Sequence, residues 1–204
     1  MVLSLIRHGQ TDWNLAGRMQ GRTDIPLNAT GREQARAAAA LLGDHSWHAV
    51  VSSPLGRARE TAEIIADHLR VPFGGSYDEL IEQDFGVAEG TLVSELDDRW
   101  PNRDFEGMEL DEEVGPRGIR GLERIVHDHD GGNVLIVAHG TLIRHTLATI
   151  TGHEPRHYPK LENASSSLVE RGDVGWNVRT VAGVDFADVL RGIEERATEL
   201  RIAS

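Results

Sequence analysis

Leu5-Ile6-Arg7-His8-Gly9-Gln10-Thr11 carries an apolar strand straight into an Arg-His-Gly triplet, almost at the N-terminus of the chain. Val2 to Ile6 is built from valine, leucine and isoleucine around one serine, and the glycine that follows lets the backbone turn at once. A strand ending this way presents its last side chains at the carboxyl edge of a sheet, where open α/β sheets bind ligands. Asn133-Val134-Leu135-Ile136-Val137-Ala138 repeats the pattern and ends in His139-Gly140. Two strand ends therefore each present a histidine.

Working outward, Ala49 to Ser52, Ser167 to Arg171 and Trp176 to Val181 also read as strands. Gly31 to Leu42 and Arg57 to Leu69 carry apolar residues at helical spacing, and Thr141 can cap a helix through Ile150. Asp185 to Ser204 reads as a final amphipathic helix that frays. This alternation predicts a three-layer α/β/α fold, with a mostly parallel sheet and helices on both faces. Residues 1–204 are expected to form one domain with an irregular excursion at about 91–121. Asp97 to Gly121, with Pro101, Pro116, four glycines and many acids, is its least regular part.

Composition narrows the function classes. The chain has 204 residues, 39% of them hydrophobic, enough for one sizeable core, and no cysteine, which excludes disulfides, thiolate nucleophiles and cysteine metal sites. No stretch approaches a membrane span or reads as a signal peptide, and a cytoplasmic protein is expected. A net charge of −12 argues against general nucleic-acid binding, although a local arginine pocket could still hold one phosphate.

Arg7-His8-Gly9, Ser52-Ser53-Pro54-Leu55-Gly56-Arg57 and Ala138-His139-Gly140 together resemble the histidine phosphatase superfamily, also called phosphoglycerate mutase-like. The likeness continues through Gln20-Gly21-Arg22-Thr23-Asp24, Pro26-Leu27-Asn28-Ala29-Thr30-Gly31, Leu80-Ile81-Glu82-Gln83-Asp84-Phe85-Gly86 and Asn163-Ala164-Ser165. It implies that His8 attacks phosphorus and forms a phosphohistidine that water hydrolyses. Such chemistry needs a neutral nucleophile, cations for the phosphate oxygens and an acid for the departing alkoxide. Arg7 and Arg57 oppose protonation of His8 and bind the phosphate, His139 stabilises the transferring group, and Gly140 belongs to the same site. Arg59 reads as an exposed helix arginine.

Glu79, Glu82, Asp84 and Glu89 share one short segment, and residue chemistry alone does not rank them as the acid. The resemblance aligns Glu82 with the proton donor, which calls for a raised pKa. It also places Ala88 where relatives usually carry Trp. Thr11, Asn14, Gln20 and Gly21 match substrate-binding positions, although Thr11 and Asn14 could equally satisfy turn backbone groups. No metal and no cofactor is implied. The run His127-Asp128-His129 lacks a recognised metal spacing but could hold a divalent ion loosely.

The expected function is hydrolysis of a small phosphorylated metabolite. A mutase is the alternative. It needs more cations over the site, whereas Val93 to Glu113 carries nine acids that would repel a second phosphate. A second alternative is a phospholigand-binding module without turnover, against which the intact Arg7, His8, Arg57, Glu82 and His139 count. An exposed sheet edge could pair in a homodimer.

Overall fold

A computed structural model describes residues 1–43 and 46–202, with side chains described as far as residue 195. Among them the strands are β1 (Val2–Arg7), β2 (Ala49–Ser52), β3 (Phe73–Ser76), β4 (Val134–Ala138), β5 (Ser166–Gly172), β6 (Gly175–Val181) and β7 (Val184–Asp185). They form one seven-stranded sheet in the order β3-β2-β4-β1-β5-β6-β7. The helices are α1 (Asp12–Leu15), α2 (Ala29–Leu42), α3 (Gly56–Leu69), α4 (Leu96–Arg99), α5 (Asp111–Asp128), α6 (Gly140–Thr151) and α7 (Phe186–Ile202).

The expected parallel pairing runs from β3 through β2 and β4 to β1. Beyond β1 the sheet is antiparallel, because two residues join β5 to β6 and two join β6 to β7, which permits only hairpins. Ala182 (φ 49°) and Gly183 (φ 80°) supply the left-handed turn of the second hairpin. Strand alternation sorts the core into two layers. Leu3, Leu5, Val51, Val134 and Ile136 pack with α5, α6 and α7, while Ile6, Val50, Leu135 and Val137 pack with α2 and α3.

The excursion is more ordered than its composition implies. Residues 111–121 lie in α5, an 18-residue helix that carries Pro116 inside it, so only the segment before Asp111 is irregular. The glycines serve packing: a Cβ at Gly115 would sit 2.0 Å from Thr149 Oγ1, and one at Gly118 would sit 1.9 Å from Thr146 Oγ1. They let α5 lie close against α6, which repays the helix propensity they forfeit. Strand β3 escaped the sequence pattern because it is Phe-Gly-Gly-Ser, and β7 because it is two residues long. The expected fraying at Ser204 lies outside the described residues.

Candidate active site

Topology assembles the site at one edge. Arg7 is in register with Ala138, the His8 N–H donates to the Ala138 carbonyl at 3.0 Å, and the Ser53 N–H donates to the Val137 carbonyl at 2.9 Å. The ends of β1, β2 and β4 thus lie side by side, and the rings of His8 and His139 stand 5.1 Å apart. Strand β5, being antiparallel, begins at this same edge. Its approach brings the Asn163 amide onto the His8 carbonyl (3.0 Å) and onto Asn14 Oδ1 (3.1 Å).

His8 is buried, with Nδ1 at 2.7 Å from the Gly9 carbonyl. A carbonyl only accepts, so Nδ1 carries the proton and Nε2 keeps its lone pair, which accepts from Arg57 Nε at 3.3 Å. Gly9 has no alternative residue here, since a Cβ would meet the Gly31 carbonyl oxygen at 2.3 Å. Burial, and after it Arg57 and Arg7, pushes the His8 pKa well below its ordinary 6.5. Desolvation, more than the arginines that the sequence points to, keeps the ring neutral. His139 is pushed down by burial and then by Arg57, His8 and Arg7.

Arg57, near the start of α3, is fully buried and spends its guanidinium on three acceptors: His8 Nε2, the Thr23 carbonyl (3.0 Å) and the Gly21 carbonyl (2.7 Å). Burial lowers its pKa to about 10, with Glu82 and Asp24 opposing, which leaves it a cation at neutral pH. Glu89 holds the loop that supplies those carbonyls, accepting from the N–H groups of Arg22 (2.7 Å) and Thr23 (2.8 Å). Arg7 Nη1 donates to the Leu161 carbonyl at 2.6 Å, and His139 Nε2 meets Ser53 Oγ at 2.8 Å. Arg7 Nε, His139 Nδ1 and Gln20 Nε2 are buried without a partner. Unpaired polar donors such as Arg7 Nε and Gln20 Nε2, on residues that line the same cavity as His8, suit an anion.

The structure separates the four carboxylates. Glu79 pairs with Arg124, Asp84 accepts from Gly86 N–H and lies near Arg22, and Glu89 clamps its loop. Only Glu82 lines the site cavity. Its Oε1 accepts from the N–H groups of Gln83 (2.9 Å) and Leu142 (2.9 Å), and its Oε2 from that of Thr141 (3.1 Å). The expected Thr141 cap is therefore corrected. His139 is the N-cap residue of α6 without a side-chain bond, and the carboxylate of Glu82, from another element, takes up the amide hydrogens at the positive helix end.

The remaining candidates divide by role. Thr11 forms a capping box with Asn14 on α1, and both give hydrogen bonds to Gln20 Oε1, at 2.8 and 3.0 Å. Gln20 lines the cavity with Nε2 unpartnered, whereas Thr11 is not on the cavity wall. Gly21 contributes its carbonyl, and Gly140 lies on the wall. Arg59 is exposed and pairs with Glu63. Ala88 is buried against Phe85, Leu96 and Phe105, with Met19, Trp100 and Met108 packed on the same cluster. Asp128 and His129 meet the Tyr77 hydroxyl, and no metal-binding group of three His, Asp or Glu occurs among the described residues. Ser53, Thr61 and Glu89 support the site without any sequence signal of that role. Thr61 accepts from Gly9 N–H and donates to the Arg57 carbonyl.

The cavity measures about 1200 Å³. Glu95 and Asp97 pair with Arg99 and Arg103, and of the nine acids only Asp111 and Glu112 reach its wall, beside Arg18, Arg103, Arg144, Arg156 and Lys160. Most of the acids counted in the expected anion-repelling lid therefore lie off the described cavity wall, which Glu154 and Glu162 also line.

The neutral histidines set an acid limit on stability. Below 6.5 the unfolded chain binds protons that buried His8 and His139 refuse, so stability is full above that value and is lost as pH falls. The urea midpoint is expected to drop between about pH 7 and about pH 5, and to drop less in His8→Asn. An equal drop in both proteins would contradict a neutral His8.

Comparison with known proteins identifies the family. The model of the histidine phosphatase superfamily (branch 1) matches residues 3–183. The uncharacterized phosphatase PhoE of Bacillus subtilis (strain 168) is 42% identical over 179 residues, 87% of this chain and 92% of that protein. The probable phosphoglycerate mutase GpmB of Serratia proteamaculans (strain 568) is 32% identical over 203 residues, 90% of this chain and 94% of that protein. Among solved structures, a mycobacterial glucosyl-3-phosphoglycerate phosphatase complexed with VO3 superposes with a TM-score of 0.78 at 28% identity, covering 88% of this chain and 97% of that one. An Arg-His-Gly strand end beside a second histidine, on a fold and a sequence shared over this length, makes the chain a member of the histidine phosphatase superfamily.

Proposed function

We propose that this chain hydrolyses small phosphomonoesters through a phosphohistidine on His8, without a metal ion. The observation that carries the reading is the state of His8: neutral, proton fixed on Nδ1 by Gly9, and Nε2 held beside the Arg57 guanidinium. In the first step Nε2 attacks phosphorus, an N–P bond forms and the ester P–O bond breaks. Arg7, Arg57 and Gln20 face the charged oxygens, and His139 lies beside them. Glu82, protonated, delivers its proton to the departing alkoxide. In the second step the Glu82 carboxylate takes a proton from water, whose oxygen displaces the histidine and releases inorganic phosphate.

A phosphoglycerate mutase remains the second reading, for which the cavity wall offers the further cations Arg144, Arg156 and Lys160 among the acids Glu154 and Glu162. Phosphate release from a panel of phosphomonoesters, run beside a primed 3-phosphoglycerate to 2-phosphoglycerate assay, separates the two. Release with little isomerisation supports hydrolysis, and efficient isomerisation with little release overturns it. Activity is expected to survive prolonged chelator treatment, since arginines neutralise the phosphate. Complete loss restored by a divalent ion would refute that. The lack of cysteine suits a reducing, cytoplasmic setting, and no described helix is long and apolar enough to cross a membrane.

A further inference from the structure

We propose that Arg117, on α5, is a positioning residue for the acid Glu82, an inference that rests on the phosphatase reading above. Arg117 and Glu109 are nearly buried, with side-chain exposures of 12% and 10%, and form a two-pronged ion pair through Nε (2.7 Å) and Nη2 (2.8 Å). Its remaining nitrogen, Nη1, donates to the Glu79 carbonyl at 2.9 Å and to the Ile81 carbonyl at 2.7 Å. One guanidinium thus grips the main chain immediately before Glu82. Immediately after it, Gln83 Nε2 donates to the Glu109 carbonyl (2.9 Å) and Asp111 Oδ1 (2.7 Å), and the Glu109 N–H donates to the Asp84 carbonyl (2.9 Å).

Glu82 itself is held only by backbone N–H groups at its carboxylate. Those bonds fix the head, whereas its reach into the cavity depends on where residues 81 and 83 place the Cα. Arg117, from α5, and Glu109, two residues before that helix begins, set that placement, and α5 packs through Gly115 onto α6, which caps on Glu82. A guanidinium fork can bind a carboxylate and two carbonyls at once, and a lysine ammonium cannot reproduce that geometry. Because general acids act through heavy-atom distances of hydrogen-bond length, a small displacement of Glu82 is costly where the leaving group needs a proton.

The test compares kcat/KM, which reports the first step, for an alkyl ester (β-glycerophosphate) and for p-nitrophenyl phosphate, whose phenolate leaves with little help. The variants are Arg117→Lys and the double variant Arg117→Met with Glu109→Gln, which leaves no buried charge unpaired. Glu82→Gln is the reference, and thermal unfolding is measured on each. The expected result is a loss about tenfold greater for the alkyl ester than for the aryl ester in the double variant, with a smaller bias in Arg117→Lys. A merely structural arginine would lower the folded fraction and so reduce both esters alike. Equal losses, or none, in the Arg117 variants while Glu82→Gln stays selective overturn this inference alone. A Glu82→Gln variant without selectivity overturns the acid assignment on which it rests.

Discussion

His8→Ala is expected to lower kcat by at least about a thousandfold on every phosphomonoester while the protein stays folded. The substitution removes Nε2, the atom that forms the bond to phosphorus, and leaves the cations in place. Arg57 keeps its bonds to the Thr23 and Gly21 carbonyls, and Arg7 keeps its bond to the Leu161 carbonyl, so the loop and the sheet edge remain tied. What the variant loses structurally is the packing of one ring and the acceptor for Arg57 Nε, a cost of about 1–3 kcal/mol for a buried donor left unpaired. Phosphate should therefore still bind while turnover fails. Steady-state phosphate release, isothermal titration with inorganic phosphate and thermal unfolding check this together. Activity within about tenfold of the native enzyme would remove His8 from the mechanism.

Glu82→Gln carries the second large expectation, a fall of about a hundredfold to ten-thousandfold for esters of poorly acidic alcohols. A glutamine keeps nearly the shape of glutamate but cannot deliver the proton that an alkoxide needs. It also places an NH2 group among the N–H groups of Gln83, Thr141 and Leu142, so one of those contacts becomes donor against donor. The helix cap then weakens by roughly 1 kcal/mol, which thermal unfolding should register. The defect in kcat/KM should shrink for an aryl ester with an acidic phenol, because less proton transfer is needed at that transition state. A defect of equal size for both esters would assign Glu82 to structure alone.

Residues close in sequence to a strand end are legible in the sequence. Arg7, His8 and His139 are placed by the ends of two apolar strands, and a parallel sheet has one carboxyl edge, so their meeting follows from the pattern. Arg57 follows from its place after Ser53-Pro54, at the start of a helix. Other features depend on contacts across long stretches of chain and leave no local mark. Glu82 caps a helix that begins some sixty residues later, and Arg117 reaches back to carbonyls at Glu79 and Ile81. Gly115 and Gly118 within α5 misled for a physical reason: their low helix propensity is a local property, whereas the closeness of α5 to α6 rewards their small size. A count of acids in Val93 to Glu113 likewise does not say which of them reach the cavity wall, and only Asp111 and Glu112 do.

The most direct measurement is the stereochemical course at phosphorus. An isotopically chiral phosphorothioate monoester would be hydrolysed in isotopically labelled water and the configuration of the released thiophosphate determined. Each in-line displacement inverts phosphorus, so transfer to His8 followed by transfer to water predicts net retention. Net inversion would mean that water attacks the ester in a single step, and it would contradict a phosphohistidine intermediate whatever the kinetic effect of His8→Ala.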